Sequence, residues 1–143
     1  MAQKVLIKLE NNQDFLENND SEKIEKKYYG ELYKKKKKYY LSYNEDSEGI
    51  DGVRTILKID PAAERVLLMR HEPAEMKQDF KIGRKIEGYF STEYGSIKTA
   101  VKTEHLKIEI KEKSGKINIR YQLYLGGELS SEHSLKLSYK YSD

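Results

Sequence analysis

Arg70 and Glu45 are the residues whose types and spacing most suggest a binding site. Arg70 shares the alternating phase of Val66 and Leu68, and Glu45 shares that of Leu41. Alternate residues of a strand face the same side, so both charges are expected to point inward. A buried guanidinium keeps its proton and needs an anionic partner or water.

Three interpretations of this pattern stay open. Arg70 and Glu45 form a structural ion pair near one end of the fold, or Arg70 lies in an open mouth and binds a carboxylate or phosphate. The third is that the assigned phase is off by one residue, which would turn every side chain to the other face.

Tyrosines and small polar residues share the inward phase. They could line a cavity with aromatic faces, hydroxyls and an amide. Alternatively, they fill a narrow barrel, because small barrels are packed with side chains. His133 is also predicted to face inward, and His105 outward. With Arg70 and Glu45, the candidate ligand-binding set comprises Tyr28, Tyr39, Tyr43, Thr55, Gln78 and Tyr121.

A second candidate is the lysine run Lys34, Lys35, Lys36, Lys37, Lys38, which is flanked by tyrosines. Lysines beside aromatic rings can contact phosphates and stack on bases, so this segment could bind RNA or a protein partner. The alternative is a solvated turn between two strands, with nearby glutamates diluting its positive potential.

No catalytic or cofactor signature accompanies these residues. The three histidines lie far apart, and there is no cysteine to complete a metal site. Phosphate-binding glycine loops, nucleophile elbows and nucleotide fingerprints are missing from the sequence. The sequence therefore predicts a protein that is not an enzyme and uses no cofactor.

The overall charge is nearly balanced although the chain is very polar. Its 143 residues include 27 basic and 24 acidic ones, for a net charge of +3, and charged residues make up 36%. This balance argues against a dedicated nucleic-acid or membrane-surface binder. With no cysteine, export signal or apolar membrane span, a cytoplasmic protein is expected.

The elements that position the candidate residues are strands, because period-two alternation dominates the sequence. In Lys116–Leu125, apolar residues occupy every second position and polar residues lie between them. Similar patterns occur at 53–59, 106–110 and 135–141, and less regular ones at 5–9, 24–33, 39–45, 76–82, 86–92 and 97–103. The segment 66–69 is apolar on both faces, which suggests a central or doubly covered strand. Turn residues separate many of them, and the asparagine-rich stretch Glu10 to Asp20 is predicted to be a loop.

About ten short antiparallel strands favour closure, since an open sheet would leave two unpaired edges. We therefore predict an all-β fold: a single domain over 1–143 that forms an up-and-down barrel of about 8–10 strands, with a two-sheet sandwich as the alternative. The alternation also explains the mean hydropathy of −0.87, because only the inward half of each strand must be apolar.

An ordered set of segments carries a family resemblance. Tyr39–Glu45 is followed by Thr55–Lys58 and Val66–Arg70, and then by Met76–Gly83 and Thr92–Gly95. This order resembles the YwiB-like family of bacterial proteins, a domain of unknown function with a calycin-like (lipocalin-like) β-barrel, over most of the chain from about Tyr28 to Tyr139.

The resemblance implies a cytosolic bacterial barrel, and it brings no function of its own. By analogy with lipocalins, the expected function is binding of a small anionic or amphipathic ligand at the barrel mouth. The alternative is an interaction module that docks a protein or RNA through its exterior or through the Lys34–Lys38 segment.

Overall fold

Ten strands make up the fold in a computed structural model that describes residues 2–47, 50–71 and 75–142. No helix in those ranges is long and apolar enough to cross a membrane. The strands are β1 (Gln3–Phe15), β2 (Ser21–Lys35), β3 (Lys38–Ser47), β4 (Ile50–Asp60), β5 (Arg65–Arg70), β6 (Glu75–Lys81), β7 (Lys85–Thr92), β8 (Gly95–Ile110), β9 (Ser114–Leu125) and β10 (Glu128–Tyr141).

The strands close into an antiparallel up-and-down barrel. Each pairs with its neighbours in sequence, and β1 pairs with β10 from Val5 opposite Tyr141 to Phe15 opposite Ser131. Closure gives the first strand a partner on both sides. The predicted all-β barrel is confirmed. Odd-numbered strands run toward the end of the barrel where Arg70 lies, here called the Arg70 end, and even-numbered strands run toward the opposite end.

The core lies inside the barrel and contains the inward half of the strands. Phe80 is fully buried, and it is surrounded by aliphatic residues from other strands. The most deeply buried members are Val5, Ile7, Leu41, Ile59, Val66, Val101, Ile117, Ile119 and Leu137. The low mean hydropathy therefore reflects the polar outer faces, as the alternation predicted.

Strand β8 joins two segments whose apolar residues have opposite phase. Thr99, Val101 and Thr103 are buried, and the next buried position is Leu106. The pairing of β8 with β9 shifts register between Thr103 and His105, which marks a β-bulge. An extra residue in one strand changes which side chains face inward. The two predicted strands 97–103 and 106–110 are thus one continuous strand.

The prediction of a loop from Glu10 to Asp20 is wrong over its first half. β1 continues to Phe15 and pairs with both β10 and β2 in this stretch, so the connection spans only 16–20. Asparagine has a low intrinsic preference for strands. Hydrogen bonding on both sides of β1 outweighs that preference.

The predicted five-lysine connection is also shorter in the structure. Lys34 and Lys35 belong to β2 and Lys38 begins β3, so only Lys36 and Lys37 form the turn. Both have positive φ, at 52° and 66°. Two successive residues with positive φ are the geometry of a type I′ hairpin, whose twist matches that of the flanking strands.

Candidate functional site

Arg70 and Glu45 form a partly buried ion pair, which Thr55 joins, at one end of the barrel. Arg70 is the last residue of β5, Thr55 lies opposite it in β4, and Glu45 is near the end of β3. Arg70 Nε donates to Glu45 Oε2 at 2.7 Å, and the fully buried Thr55 hydroxyl donates to the same oxygen at 2.6 Å. Three adjacent strands thus hold one carboxylate.

The other nitrogens of the Arg70 guanidinium have weaker partners. Nη2 lies 3.4 Å from Glu45 Oε1, and Nη1 lies 3.5 Å from Met76 Sδ, a weak acceptor. The Arg70 side chain is 31% exposed, compared with 11% for Glu45. Glu45 therefore orients the guanidinium from the inside of the barrel, and the Nη groups of Arg70 can still donate hydrogen bonds to an anion.

Tyr43 and Tyr28 form an aromatic wall beside this pair. Their rings stack with centroids 5.1 Å apart and an interplanar angle of 29°. Burial, and secondly the negative charge of Glu45, raise the pKa of the Tyr43 hydroxyl far above its usual range. The hydroxyl therefore stays protonated and donates toward Glu45.

A second aromatic group packs from β6, β9 and β10. Phe80 contacts Tyr121 edge to face at 4.9 Å, and Tyr121 stacks on His133 at 4.8 Å with an interplanar angle of 1°. Burial raises the pKa of Tyr121 to about 12, and the positive charge of Arg70 acts against this shift. The positive charge of Arg70 therefore acts on the Tyr121 side chain of β9.

His133 is the inward residue of this group that the candidate set left out. Burial lowers its pKa to about 4, although the negative charge of Asp14 acts in the opposite direction. One ring nitrogen, Nε2, lies 2.7 Å from Ser131 Oγ. The signal that could have added His133 to the set was its shared phase with Leu135. At neutral pH it is an uncharged imidazole.

Three buried polar atoms have no hydrogen-bond partner among the described residues. They are His133 Nδ1, Thr103 Oγ1 and Asn11 Oδ1. Thr103, Tyr121 and His133 are neighbours across β8, β9 and β10. Most buried polar atoms in folded proteins are hydrogen-bonded, so this inner wall can accept further polar contacts.

Gln78 and Tyr39 make their contacts with residues outside the Arg70 cluster. The Gln78 amide donates to the backbone oxygens of Asp79 and Ile86 at 3.1 Å and accepts from the Thr99 hydroxyl at 3.1 Å. These bonds link β6 with β7 and β8, so its role is structural. Tyr39 lies near the start of β3, toward the opposite end. The structure therefore groups six of the eight candidates: Arg70, Glu45, Thr55, Tyr43, Tyr28 and Tyr121.

The Lys34–Lys38 segment does not present its lysines as one surface. Lys34 Nζ lies 5.5 Å from the centroid of the Tyr39 ring, and Lys38 lies 3.8 Å from Asp60. Lys36 and Lys37 occupy the turn itself. Because successive side chains of β2 and β3 point to opposite faces, neighbouring lysines of the segment point in different directions.

No metal-binding cluster occurs in the described parts of the chain. They contain no group of three or more His, Asp or Glu residues that could hold a metal ion. The two grooves described below lie on the outside of the barrel. The middle of the barrel is occupied by Phe80 and its neighbours.

Comparison with known proteins agrees with this architecture. Residues 7–137 match the family described as Domain of unknown function (DUF1934). This chain belongs to that family. The family's Uncharacterized beta-barrel protein YwiB from Bacillus subtilis (strain 168) is 29% identical over 121 residues, which cover 85% of this chain and 83% of that protein. The resemblance predicted from the ordered segments is confirmed.

A solved structure shares the fold. The crystal structure of the ywiB protein from Bacillus subtilis matches with a TM-score of 0.88 at 24% sequence identity, covering 99% of this chain and 94% of that one. The barrel architecture is therefore common to both proteins.

Proposed function

We propose that this DUF1934 protein binds a small anionic ligand, with a carboxylate or phosphate group, at the Arg70 end of its barrel. The observation that carries the proposal is the arrangement of Arg70. Its Nε is fixed by a buried carboxylate, while among the described residues its Nη groups have a long hydrogen bond and a sulfur contact. Such a guanidinium is oriented before a ligand arrives.

The surroundings of Arg70 suit an anion with an apolar part. The half-buried ring of Tyr28, stacked on the buried Tyr43, offers an aromatic face, and the Tyr43 hydroxyl helps to hold Glu45 in place. Because Phe80 fills the middle of the barrel, the ligand would sit at the end rather than deep inside. The proposal therefore favours a short amphipathic anion over a long lipid. The likeness to lipocalins supports it by analogy, since binding at the barrel mouth was expected on that ground.

The Lys34–Lys38 segment has less support as a docking site, because Lys34 and Lys38 are each engaged by another side chain. Two other expectations stay predictions: that the chain is not an enzyme, and that it acts in the cytoplasm.

Changes in amide NMR chemical shifts during titration would test anion binding, with inorganic phosphate and octanoate as the two probes. We expect saturable shifts at the Arg70 end with at least one probe. The variant Arg70→Met/Glu45→Gln should weaken that binding at least tenfold without leaving an unpaired buried charge. Phosphate alone binding would favour a polar anion, and octanoate alone an amphipathic one.

Arg65→Met is the matched control. Arg65 is on the same strand and forms a two-point ion pair with Asp79, with both contacts at 2.6 Å, on the outer face. Its loss should leave probe binding unchanged. Absence of saturable shifts with either probe, or equal binding by the folded Arg70→Met/Glu45→Gln variant, would reject the proposal.

A further inference from the structure

The outer face of the barrel carries a concentration of lysines that the sequence order does not reveal. Two adjoining grooves of about 200 and 730 Å³ cross the outside of β8, β9, β10, β1 and β2, and they share Lys8, Lys116 and Ser138. Seven lysines and three glutamates line them. We define the lysine groove by its five outward-facing lysines, Lys8, Lys27, Lys116, Lys136 and Lys140.

Strand register brings these lysines together. Lys27 lies opposite Lys8, Lys8 lies opposite Ser138, and Ser138 lies opposite Lys116. Neighbouring strands are about 4.8 Å apart, so this row places three ammonium groups within a band of about 15 Å. Residues separated by more than a hundred positions in the chain thus form one surface.

The acidic residues of the groove are already paired with other lysines. Lys23 Nζ lies 3.2 Å from Glu10 and 3.1 Å from Glu25, and Lys107 Nζ lies 2.9 Å from Glu109. Neither Lys23 nor Lys107 lines the grooves. Within the described residues, none of the five defining lysines has a carboxylate within 4.0 Å. Lys136 and Lys116 lie opposite Glu10 and Glu109 in the strand register, and their charges act on those carboxylates. With seven lysines against three glutamates, the groove still carries an excess of positive charge.

Lys8 and Lys27 are like charges at directly opposed positions, and Glu10 and Glu25, which oppose each other two residues further along, lie diagonally from them. Like charges directly opposite each other on antiparallel strands destabilise the sheet. Breaches of such local rules concentrate at functional sites. An anion bound between the two ammonium groups would remove the repulsion.

We propose that the lysine groove binds single-stranded nucleic acid through its phosphates. Tyr29 supports this class of partner, since its side chain is 78% exposed on the same outer face, two residues after Lys27. It lies opposite Leu6, which lines the smaller groove. A basic groove beside an exposed aromatic ring is the arrangement by which proteins hold a single strand, with phosphates on cations and bases on rings. The net charge of +3 does not oppose this, because the excess is local.

Fluorescence anisotropy with a labelled 12-nucleotide oligouridylate at several salt concentrations would test the groove. About four phosphate contacts predict that the logarithm of affinity falls with the logarithm of salt with a slope near −3. The variant Lys8→Gln/Lys27→Gln should reduce the magnitude of the slope by about 1.4 and weaken binding at least tenfold. The same variant should fold with unchanged or slightly higher stability, because it removes a repulsive pair.

The variant Lys36→Gln/Lys37→Gln is the matched control, since it removes the same charge from the β2–β3 turn. It should leave the salt slope nearly unchanged. Tyr29→Ala should weaken binding roughly fivefold or more, whereas Tyr94→Ala, at a ring that is 92% exposed elsewhere, should not.

Three results would overturn the proposal. The first is no oligonucleotide binding at 25 mM salt. The second is an equal loss in both lysine variants, because this would indicate attraction by net charge alone. The third is equally tight binding of a 12-residue glutamate peptide, which would assign the groove to acidic proteins. None of these results depends on the Arg70 site, so the two proposals fail separately.

Discussion

Replacing Arg70 by methionine should destabilise the barrel more than replacing Arg70 and Glu45 together. The single change leaves the Glu45 carboxylate 11% exposed and without its charged partner, so that its donors among the described residues are the hydroxyls of Thr55 and Tyr43. A charge-assisted hydrogen bond to a buried group contributes about 1.5–3 kcal/mol, and partial exposure of Arg70 screens it, so we expect a loss of about 2 kcal/mol.

The other two variants complete a double-mutant cycle, which gives the coupling energy between Arg70 and Glu45. Glu45→Gln leaves a guanidinium that can reach water, so its cost should be about 1 kcal/mol. Arg70→Met/Glu45→Gln leaves a neutral amide that still accepts from Thr55, and its cost should also be about 1 kcal/mol. The coupling energy is then about 2 kcal/mol.

Urea unfolding followed by far-ultraviolet circular dichroism would measure the four free energies of unfolding, provided that the slope with denaturant is constant. The outer pair of Arg65 and Asp79 serves as the comparison, and its coupling should not exceed about 0.5 kcal/mol because half of the Arg65 side chain is exposed. A coupling for Arg70 and Glu45 no larger than that of the outer pair would refute the reasoning.

Three further predictions concern stability. The pKa of His133 is about 4 when folded and 6.5 in its ordinary state, so the unfolded chain binds the extra proton first, and about 3 kcal/mol of stability should be lost as pH falls from 6.5 to 4. The urea midpoint should depend less on pH across this range in His133→Gln. In the exposed control His105→Gln, its pH dependence should stay as in the wild type. Lys37→Gly should raise the free energy of unfolding by about 0.5 kcal/mol, because it relieves a positive φ; an unchanged urea midpoint would contradict this. Gly88→Ala should cost about 1–3 kcal/mol by thermal melting, since its Cβ would collide with the Lys77 backbone oxygen; an unchanged melting temperature would count against that packing.

The barrel could be predicted because inside and outside alternate with every residue. Arg70 and Glu45 were assigned to the interior from phase alone, and the structure places them 2.7 Å apart on strands separated by β4. The bulge in β8 was not predicted, because the change of buried positions from Thr103 to Leu106 was interpreted as a break between two strands. Period-two patterning therefore determines the facing of a side chain without any knowledge of its partners.

The position of each residue along the barrel axis could not be read in this way. Tyr39 and Tyr43 share a phase, yet Tyr43 joins the Arg70 cluster and Tyr39 lies toward the opposite end. The asparagine-rich end of β1 was wrongly predicted to be a loop. Local propensity takes no account of the hydrogen bonds that a distant strand such as β10 supplies. Register between distant strands decides both cases, and no pattern within one segment encodes it.

The two proposed sites differ in how strongly folding constrains them. Glu45 is buried, so desolvation forces it to have a donor, and Arg70 is retained by stability even if no ligand binds. The repulsive pair of Lys8 and Lys27 lies on the outer face, where folding requires neither charge. A stability requirement can therefore explain the inner pair but not the outer one. If Lys8→Gln/Lys27→Gln leaves the fold intact while abolishing oligonucleotide binding, the two opposed lysines contribute to binding and not to folding.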